Sequence, residues 1–177
     1  MRRALALLVV VIVSSSASAL AYPPVGGQTT PTLLRLDGIG PLRLGMTRQA
    51  ALSSGWLAHR APGCELAGTP RPITYLLSGA KAPPGVAGTA EFDHNRLQTL
   101  SFTRGVRTAQ GVEVGHTTAK QMVARYRTAG FGASARFDTT FQATFVTIRR
   151  NGRQVIGGLA ERGPLSILGI PYVPVCE

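Results

Sequence analysis

Apolar residues recur at helical spacing in two parts of the chain. The clearer stripe stands at i, i+3, i+4 and i+7 and consists of Ala119, Met122, Val123 and Tyr126. It predicts a helix from about Thr118 to Thr128, and a shorter helix is predicted over Arg48 to Ser54.

Both predicted helices have residues suited to their ends. Thr47 and Thr117 are candidate N-caps, because a threonine hydroxyl can accept from backbone amides two or three residues further on. Gly55 and Gly130 follow the helices and suit a left-handed C-terminal residue.

Short apolar and alternating runs between turn formers predict antiparallel strands. In the first half these runs are Ile73 to Leu77, Val86 to Phe92 and Leu97 to Thr103. In the second half they are Ala133 to Phe137, Phe141 to Arg149, Arg153 to Leu159 and Leu165 to Ile170. The connections Asp93 to Arg96 and Asn151-Gly152 are typical of hairpin turns. Helices and antiparallel strands together predict an α+β fold.

Two segments seventy positions apart share one pattern. Leu42 to Thr47 reads Leu-Arg-Leu-Gly-Met-Thr, and Val112 to Thr117 reads Val-Glu-Val-Gly-His-Thr. We therefore predict two tandem units, residues 37–107 and 108–177, each a short helix packed on an antiparallel sheet of three to four strands. A chance similarity between two strand-turn-helix junctions is the alternative.

The run Leu42 to Leu52, Leu-Arg-Leu-Gly-Met-Thr-Arg-Gln-Ala-Ala-Leu, resembles the start of the repeats in the secreted β-lactamase-inhibitor proteins. The small outer-membrane assembly lipoproteins share this unit and its Gly-Met-Thr run. The resemblance implies an exported protein of two tandem units that binds a protein partner without catalysis. Those inhibitors carry a disulfide within each unit and many exposed aromatics, whereas this chain has 2 cysteines, in different units, and 6% aromatic residues. The resemblance therefore implies a fold and no particular partner.

The N-terminus has the pattern of a cleavable signal peptide. Two arginines precede the apolar stretch Ala4 to Val13, and A-x-A cleavage sites then end at Ala19 and Ala21. Ten apolar residues span only ~15 Å as a helix, about half of a hydrocarbon core, which argues against a membrane anchor. We predict a signal peptide over residues 1–21, an extended Pro- and Gly-rich tether over 22–36, and a secreted bacterial protein.

Cys64 and Cys176 are the chain's two cysteines. An even count in an exported chain predicts a disulfide between them. Chain-entropy arithmetic for a loop of about 113 residues gives roughly 4.8 kcal/mol of stabilisation. The bridge would hold the tail Pro171 to Val175, whose prolines exclude a helix. Two free thiols are the alternative. A metal site is disfavoured, because two distant cysteines offer too few ligands.

The chain is strongly basic, with a formal net charge of +11 that becomes +9 when the two arginines of the signal peptide are removed. Arg149, Arg150 and Arg153 bracket the predicted Asn151-Gly152 turn. Such a cluster indicates an anionic partner, which could be an envelope polymer, lipid head groups or an acidic protein. Nucleic acid is disfavoured because no aromatic residues are interleaved. A solvated turn that keeps the hairpin from aggregating is the alternative.

No residue pattern indicates catalysis or a cofactor. His59, His94 and His116 lack the spacing of zinc ligands. Glu91 and Asp93 indicate either a weak cation site or merely a polar hairpin end. The sequence therefore predicts a non-catalytic binding protein of the bacterial envelope or medium, whose ligand is a protein or an anionic envelope polymer. The alternative is a secreted hydrolase whose site assembles from scattered Ser, His and Asp.

Overall fold

The computed structural model describes residues 30–63 and 71–175. Within these ranges the chain forms two sheets and two helices. The helices are α1 (Arg48–Ser53) and α2 (Ala119–Thr128). The strands are β1 (Thr32–Arg35), β2 (Gly38–Ile39), β3 (Leu42–Arg43), β4 (Ala58–Ala61), β5 (Ile73–Leu76), β6 (Ala87–Asp93), β7 (Arg96–Arg104), β8 (Val106–Thr108), β9 (Gly132–Asp138), β10 (Ala143–Arg150), β11 (Arg153–Ala160) and β12 (Ile167–Ile170).

The fold is α+β, with much more strand than helix. Each of the predicted strand runs is present, with ends displaced by no more than two residues. The strands β1 to β4 and β8 were not predicted, because runs of two to four residues are too short to show a period. In the described part of the chain, neither helix has the length and apolar character needed to cross a membrane.

Eight strands form one antiparallel sheet in the order β4-β5-β6-β7-β12-β11-β10-β9. Its centre is the pairing of β7 with β12, in which Leu100 faces Ile170 and Phe102 faces Leu168. These four side chains are fully buried. The last strand of the chain therefore closes on a strand from the first half, and β4 and β9 form the two edges.

The second sheet has four short strands in the order β3-β2-β1-β8. Strand β1 runs parallel to β8, and Leu34 of β1 is buried in the same core as the large sheet. Residues 32–35 were predicted as part of an extended tether, and that part of the prediction is wrong. Burial of Leu34 and hydrogen bonding of the backbone to β8 make this segment a strand.

Helix α2 covers one face of the large sheet, which we call the helical face. Its residues Met122 and Tyr126 are fully buried, as the predicted apolar stripe requires. A Cβ placed on Gly158 of β11 would lie only 2.9 Å from the Met122 sulfur. The glycine therefore lets the helix approach the sheet closely.

The N-cap of α2 differs from the prediction by one residue. Thr118, not Thr117, accepts from the Gln121 amide at 3.3 Å, and the Gln121 side chain accepts from the Thr118 amide at 2.9 Å. This reciprocal pair is a capping box. The Thr117 hydroxyl is buried and accepts from the Glu113 amide at 3.0 Å. At α1 the predicted cap is correct, since Thr47 accepts from the Ala50 amide.

The segments that precede the two helices make matching backbone hydrogen bonds. Gly45 donates to the Leu97 carbonyl at 2.7 Å, and Gly115 donates to the Leu165 carbonyl at 2.8 Å. Both glycines have a φ of +80°, which favours glycine. The return bonds differ by one position, since Leu97 donates to the carbonyl of Met46, one residue after Gly45, at 2.9 Å, and Leu165 donates to that of Thr117, two residues after Gly115, at 2.8 Å. The first junction is thereby bonded to β7 and the second to Leu165, two residues before β12, and these are the two central strands of the large sheet.

The C-terminal segment crosses the opposite face of the sheet, which we call the outer face. Gly157 and Gly169 are paired there across β11 and β12. A Cβ on Gly169 would lie 2.1 Å from the Tyr172 carbonyl oxygen, and one on Gly157 would lie 2.8 Å from the Val173 nitrogen. The two glycines form a shallow channel that the tail occupies.

Candidate binding surface

The β10–β11 hairpin ends in the two-residue turn predicted from Asn151-Gly152. Asn151 has a φ of +51° and Gly152 a φ of +76°, the signs of a type I′ turn. Such a turn matches the twist of the flanking strands. Arg150 and Arg153 are the residues paired directly beside it.

The three predicted arginines do not share one face. Successive strand residues alternate between faces. Ile148 is buried on the helical face, so Arg149 lies on the outer face and Arg150 on the helical face. The guanidinium carbon of Arg150 lies 5.9 Å from the centre of the Phe131 ring, just beyond α2. The structure therefore brings Arg150 and Arg153 together and separates Arg149 from them.

A groove of about 510 Å³ lies between the hairpin end and the connection from α2 to β9. Residues 129–132 form one wall and residues 149–152 form the other. The Phe131 ring and the Arg150 guanidinium supply an apolar and a cationic side to the same opening. The groove therefore suits a ligand in which an anionic group is attached to an apolar group.

The three arginines have no carboxylate partner among the described residues. The described ion pairs that involve arginine lie elsewhere, with Asp37 beside Arg35 and Arg43, and Glu113 beside Arg107. Arg149, Arg150 and Arg153 are all exposed. Their positive charge is thus uncompensated at the end of the hairpin.

A second, smaller groove of about 280 Å³ adjoins Arg150 on the side of β1. It is lined mainly by apolar side chains, among them Leu33, which is 57% exposed, and Tyr126. Burial raises the pKa of Tyr126 to about 12, and the Thr108 hydroxyl offsets part of this rise. Within the described residues the Tyr126 hydroxyl has no hydrogen bond of good geometry.

The histidines lie far apart in the fold. His59 is in β4, His94 is in the β6–β7 turn with its Nδ1 2.9 Å from Asp93, and His116 lies 3.8 Å from Glu113. No group of three candidate metal ligands occurs among the described residues. Burial and the neighbouring Asp93 both destabilise the charged form of Glu91, and its pKa is therefore raised above the ordinary value.

Two of the predicted site residues, Cys64 and Cys176, lie outside the described residues. Their disulfide stays a prediction. The described tail up to Val175 is held against the outer face by its contacts with β11 and β12.

Arg136 was not singled out by the sequence. Its register partner is Phe145 on β10, and Gly132 on the same strand is the partner of Arg149. Residues 132 and 136 have the same parity, so Arg136 and Arg149 share the outer face. Strand alternation alone places residues 132 and 136 on the same face of β9. The pairing of β9 with β10 is needed to show that Arg149 lies on that face as well.

Comparison of the chain with protein-family models, with curated proteins and with solved structures gives no match.

Proposed function

We propose that this chain is an exported, non-catalytic binding protein of the bacterial envelope or medium, whose ligand is a protein or an anionic envelope polymer. The observation that carries the proposal is the uncompensated charge of Arg149, Arg150 and Arg153, which lie on the two faces of the hairpin end beside an open groove. Guanidinium groups can bind carboxylates or phosphates through paired hydrogen bonds.

Export is supported by the sequence of residues 1–21, which lie outside the described part of the chain. A positive start, ten apolar residues and small residues at the cleavage site are typical of a secretory signal. Cleavage after Ala21 leaves a chain whose net charge, +9, favours contact with the anionic surfaces found outside a bacterial cell.

We also propose that the chain arose as two tandem units, each a helix followed by antiparallel strands. The sheet order supports this, since β4 to β7 in one half and β9 to β12 in the other both run in chain order from the edge of the sheet to its centre. The matching hydrogen bonds of Gly45 and Gly115 support it further. The resemblance to secreted β-lactamase-inhibitor proteins implies the same arrangement, and no β-lactamase partner is carried over with it.

Retention of the exported form on purified bacterial cell walls, measured across a salt series, tests the binding proposal. We expect retention at low salt that weakens as ionic strength passes ~0.15 M, where the Debye length is about 8 Å. The triple change Arg149→Gln, Arg150→Gln and Arg153→Gln should weaken it.

A matched control removes the same charge elsewhere, by changing the exposed Arg60, Arg104 and Arg162 to Gln. Retention should fall much less in this control than in the hairpin variant. Equal loss in both would mean that only net charge matters, and no retention of the wild type at low salt would exclude an anionic wall polymer as ligand.

A further inference from the structure

The two edges of the large sheet are protected to different degrees. Strand β4 has four residues, a register shift in its pairing with β5, and a positive φ of +51° at His59. Strand β9 has seven residues that pair with β10 without interruption, no proline and no positive φ. Short, irregular edges resist the addition of another strand, whereas long, regular edges accept one. The β9 edge is therefore the open one.

The backbone groups that face outward from β9 follow from the hairpin geometry. The type I′ turn makes Arg150 and Arg153 a hydrogen-bonded pair, so alternate residues of β10 bond to β11 and to β9. Residues 132, 134, 136 and 138 then bond to β10, and Ala133, Ala135 and Phe137 present their N–H and C=O groups outward. The Arg127 side chain agrees with this assignment, since its Nε and Nη2 donate to the Ala133 carbonyl at 3.0 and 2.8 Å.

The outward groups beyond Ala133 have no hydrogen-bond partner in the described part of the chain. The neighbouring side chains are small, being those of Gly132, Ala133, Ser134 and Ala135. Phe137 is 54% exposed at the end of this row. A second strand can thus approach the backbone closely and cover an exposed aromatic ring.

Positive charge on the outer face favours an acidic strand. Arg136 stands on β9 itself and has no ion-pair partner among the described residues. Arg149 stands one strand further in, and Gly132 between it and the edge carries no side chain to block its reach. The positions opposite Gly132 and Arg136 lie four residues apart on one face, roughly 13 Å along the strand.

We propose that the β9 edge takes up an extended acidic segment of a partner protein as a ninth strand of the large sheet. The segment would carry two carboxylates four residues apart, one beside Arg136 and one within reach of Arg149. This inference rests on the proposed binding function and names the chemistry of its protein ligand. A second copy of this chain is disfavoured as the added strand, because it would bring another Arg136 and Arg149 to the same edge.

The test uses a fluorescent nine-residue peptide of alternating threonine and valine, in which glutamates replace two threonines four residues apart. Binding to the exported form is measured by anisotropy at low salt. Ala135→Pro removes one outward N–H and leaves the bonds to β10 intact. Ala135→Val, which keeps that N–H, is its matched control. We expect the proline variant to bind at least tenfold more weakly than wild type, and the valine variant to bind within about threefold of it.

Two further measurements keep the test independent of folding. A peptide with N-methyl groups on the amides that face β9 should bind wild type at least tenfold more weakly. Replacing both glutamates by glutamine, or Arg136 and Arg149 by glutamine, should weaken binding severalfold and remove its salt dependence. Equal binding of the methylated and unmethylated peptides, no binding at low salt, or a dimer that excludes the peptide would each overturn the edge proposal. None of these outcomes would change the expected retention on cell walls, so the edge proposal and the proposed function are tested separately.

Discussion

Arg150 and Arg153 lie directly opposite each other on the last rung of the β10–β11 ladder. Side chains in this relation have Cβ atoms roughly 5 Å apart, and like charges there lower stability. We therefore expect the two positive charges to destabilise the end of the hairpin.

Replacing one of these two arginines by an acidic residue should reveal the repulsion as a change in stability. We expect Arg153→Glu to raise the free energy of unfolding by about 0.5 kcal/mol at low salt, since it converts a repulsive cross-strand pair into an attractive one. The gain should shrink at high salt. Urea unfolding at two salt concentrations measures it. Arg162→Glu, an equal charge change at another exposed site, should give a smaller gain; an equal gain would show that net charge alone is responsible.

The capping box of α2 should be measurable. Thr118→Ala removes the hydroxyl that accepts from Gln121, and we expect a loss of about 1 kcal/mol of stability. Thr118→Ser should cost little, because serine caps equally well. Chemical denaturation of the three proteins compares them. A cost in Thr118→Ser as large as in Thr118→Ala would show that packing of the threonine methyl, and not capping, matters at this position.

Tyr126 should make stability fall at alkaline pH. Its pKa in the folded protein is about 12, above the ordinary value of 10.0, so the unfolded state loses its proton first as pH rises. The stability that comes from this difference is present below pH 10 and is lost between pH 10 and 12, up to roughly 2 to 3 kcal/mol. Tyr126→Phe should lose less stability than wild type over that range in denaturation curves. Tyr172→Phe, at an exposed tyrosine, is the control and should keep the wild-type pH dependence.

The glycine channel on the outer face predicts a selective effect on the tail. Gly169→Ala would place a methyl against the Tyr172 carbonyl, so we expect the segment from Pro171 to Val175 to lift away. Hydrogen exchange and limited proteolysis should show the tail becoming accessible. Gly132→Ala meets its nearest atoms at 3.7 Å and should leave the tail protected. A tail that stays protected in Gly169→Ala would contradict the assigned contact.

The predicted disulfide should be measurable by intact mass and by alkylation. If Cys64 and Cys176 are bonded, the purified exported form should be about 2 Da lighter than after reduction and should resist alkylation. The predicted stabilisation of several kcal/mol should appear as a lower unfolding midpoint after reduction. Two thiols that react at once in freshly purified protein would contradict the bridge.

What the sequence could predict depended on how local the determining interaction is. The Asn151-Gly152 turn and the apolar stripe around Met122 are local patterns, and both were predicted correctly. The cap of α2 was misplaced at Thr117 because two threonines in succession both suit a cap, and only the burial of Thr117 distinguishes them.

The remaining features depend on contacts between distant segments. Strand β1 was missed because its partner, β8, lies more than seventy positions away and the run is only four residues long. The separation of Arg149 from Arg150 and Arg153 required the face of each strand to be known. The relation of Arg136 to Arg149 required the β9–β10 register, which no local pattern contains.

The pairing of Leu100 with Ile170 has a consequence for how the chain is made. Strand β7 cannot acquire its inner neighbour until β12, whose Ile170 lies seventy positions after Leu100, is available. Contacts of such long sequence separation form late and slow the folding reaction. A chain whose synthesis has not yet reached β12 therefore lacks the central pairing of the large sheet, and we expect the eight-stranded sheet to form only after that strand has been made.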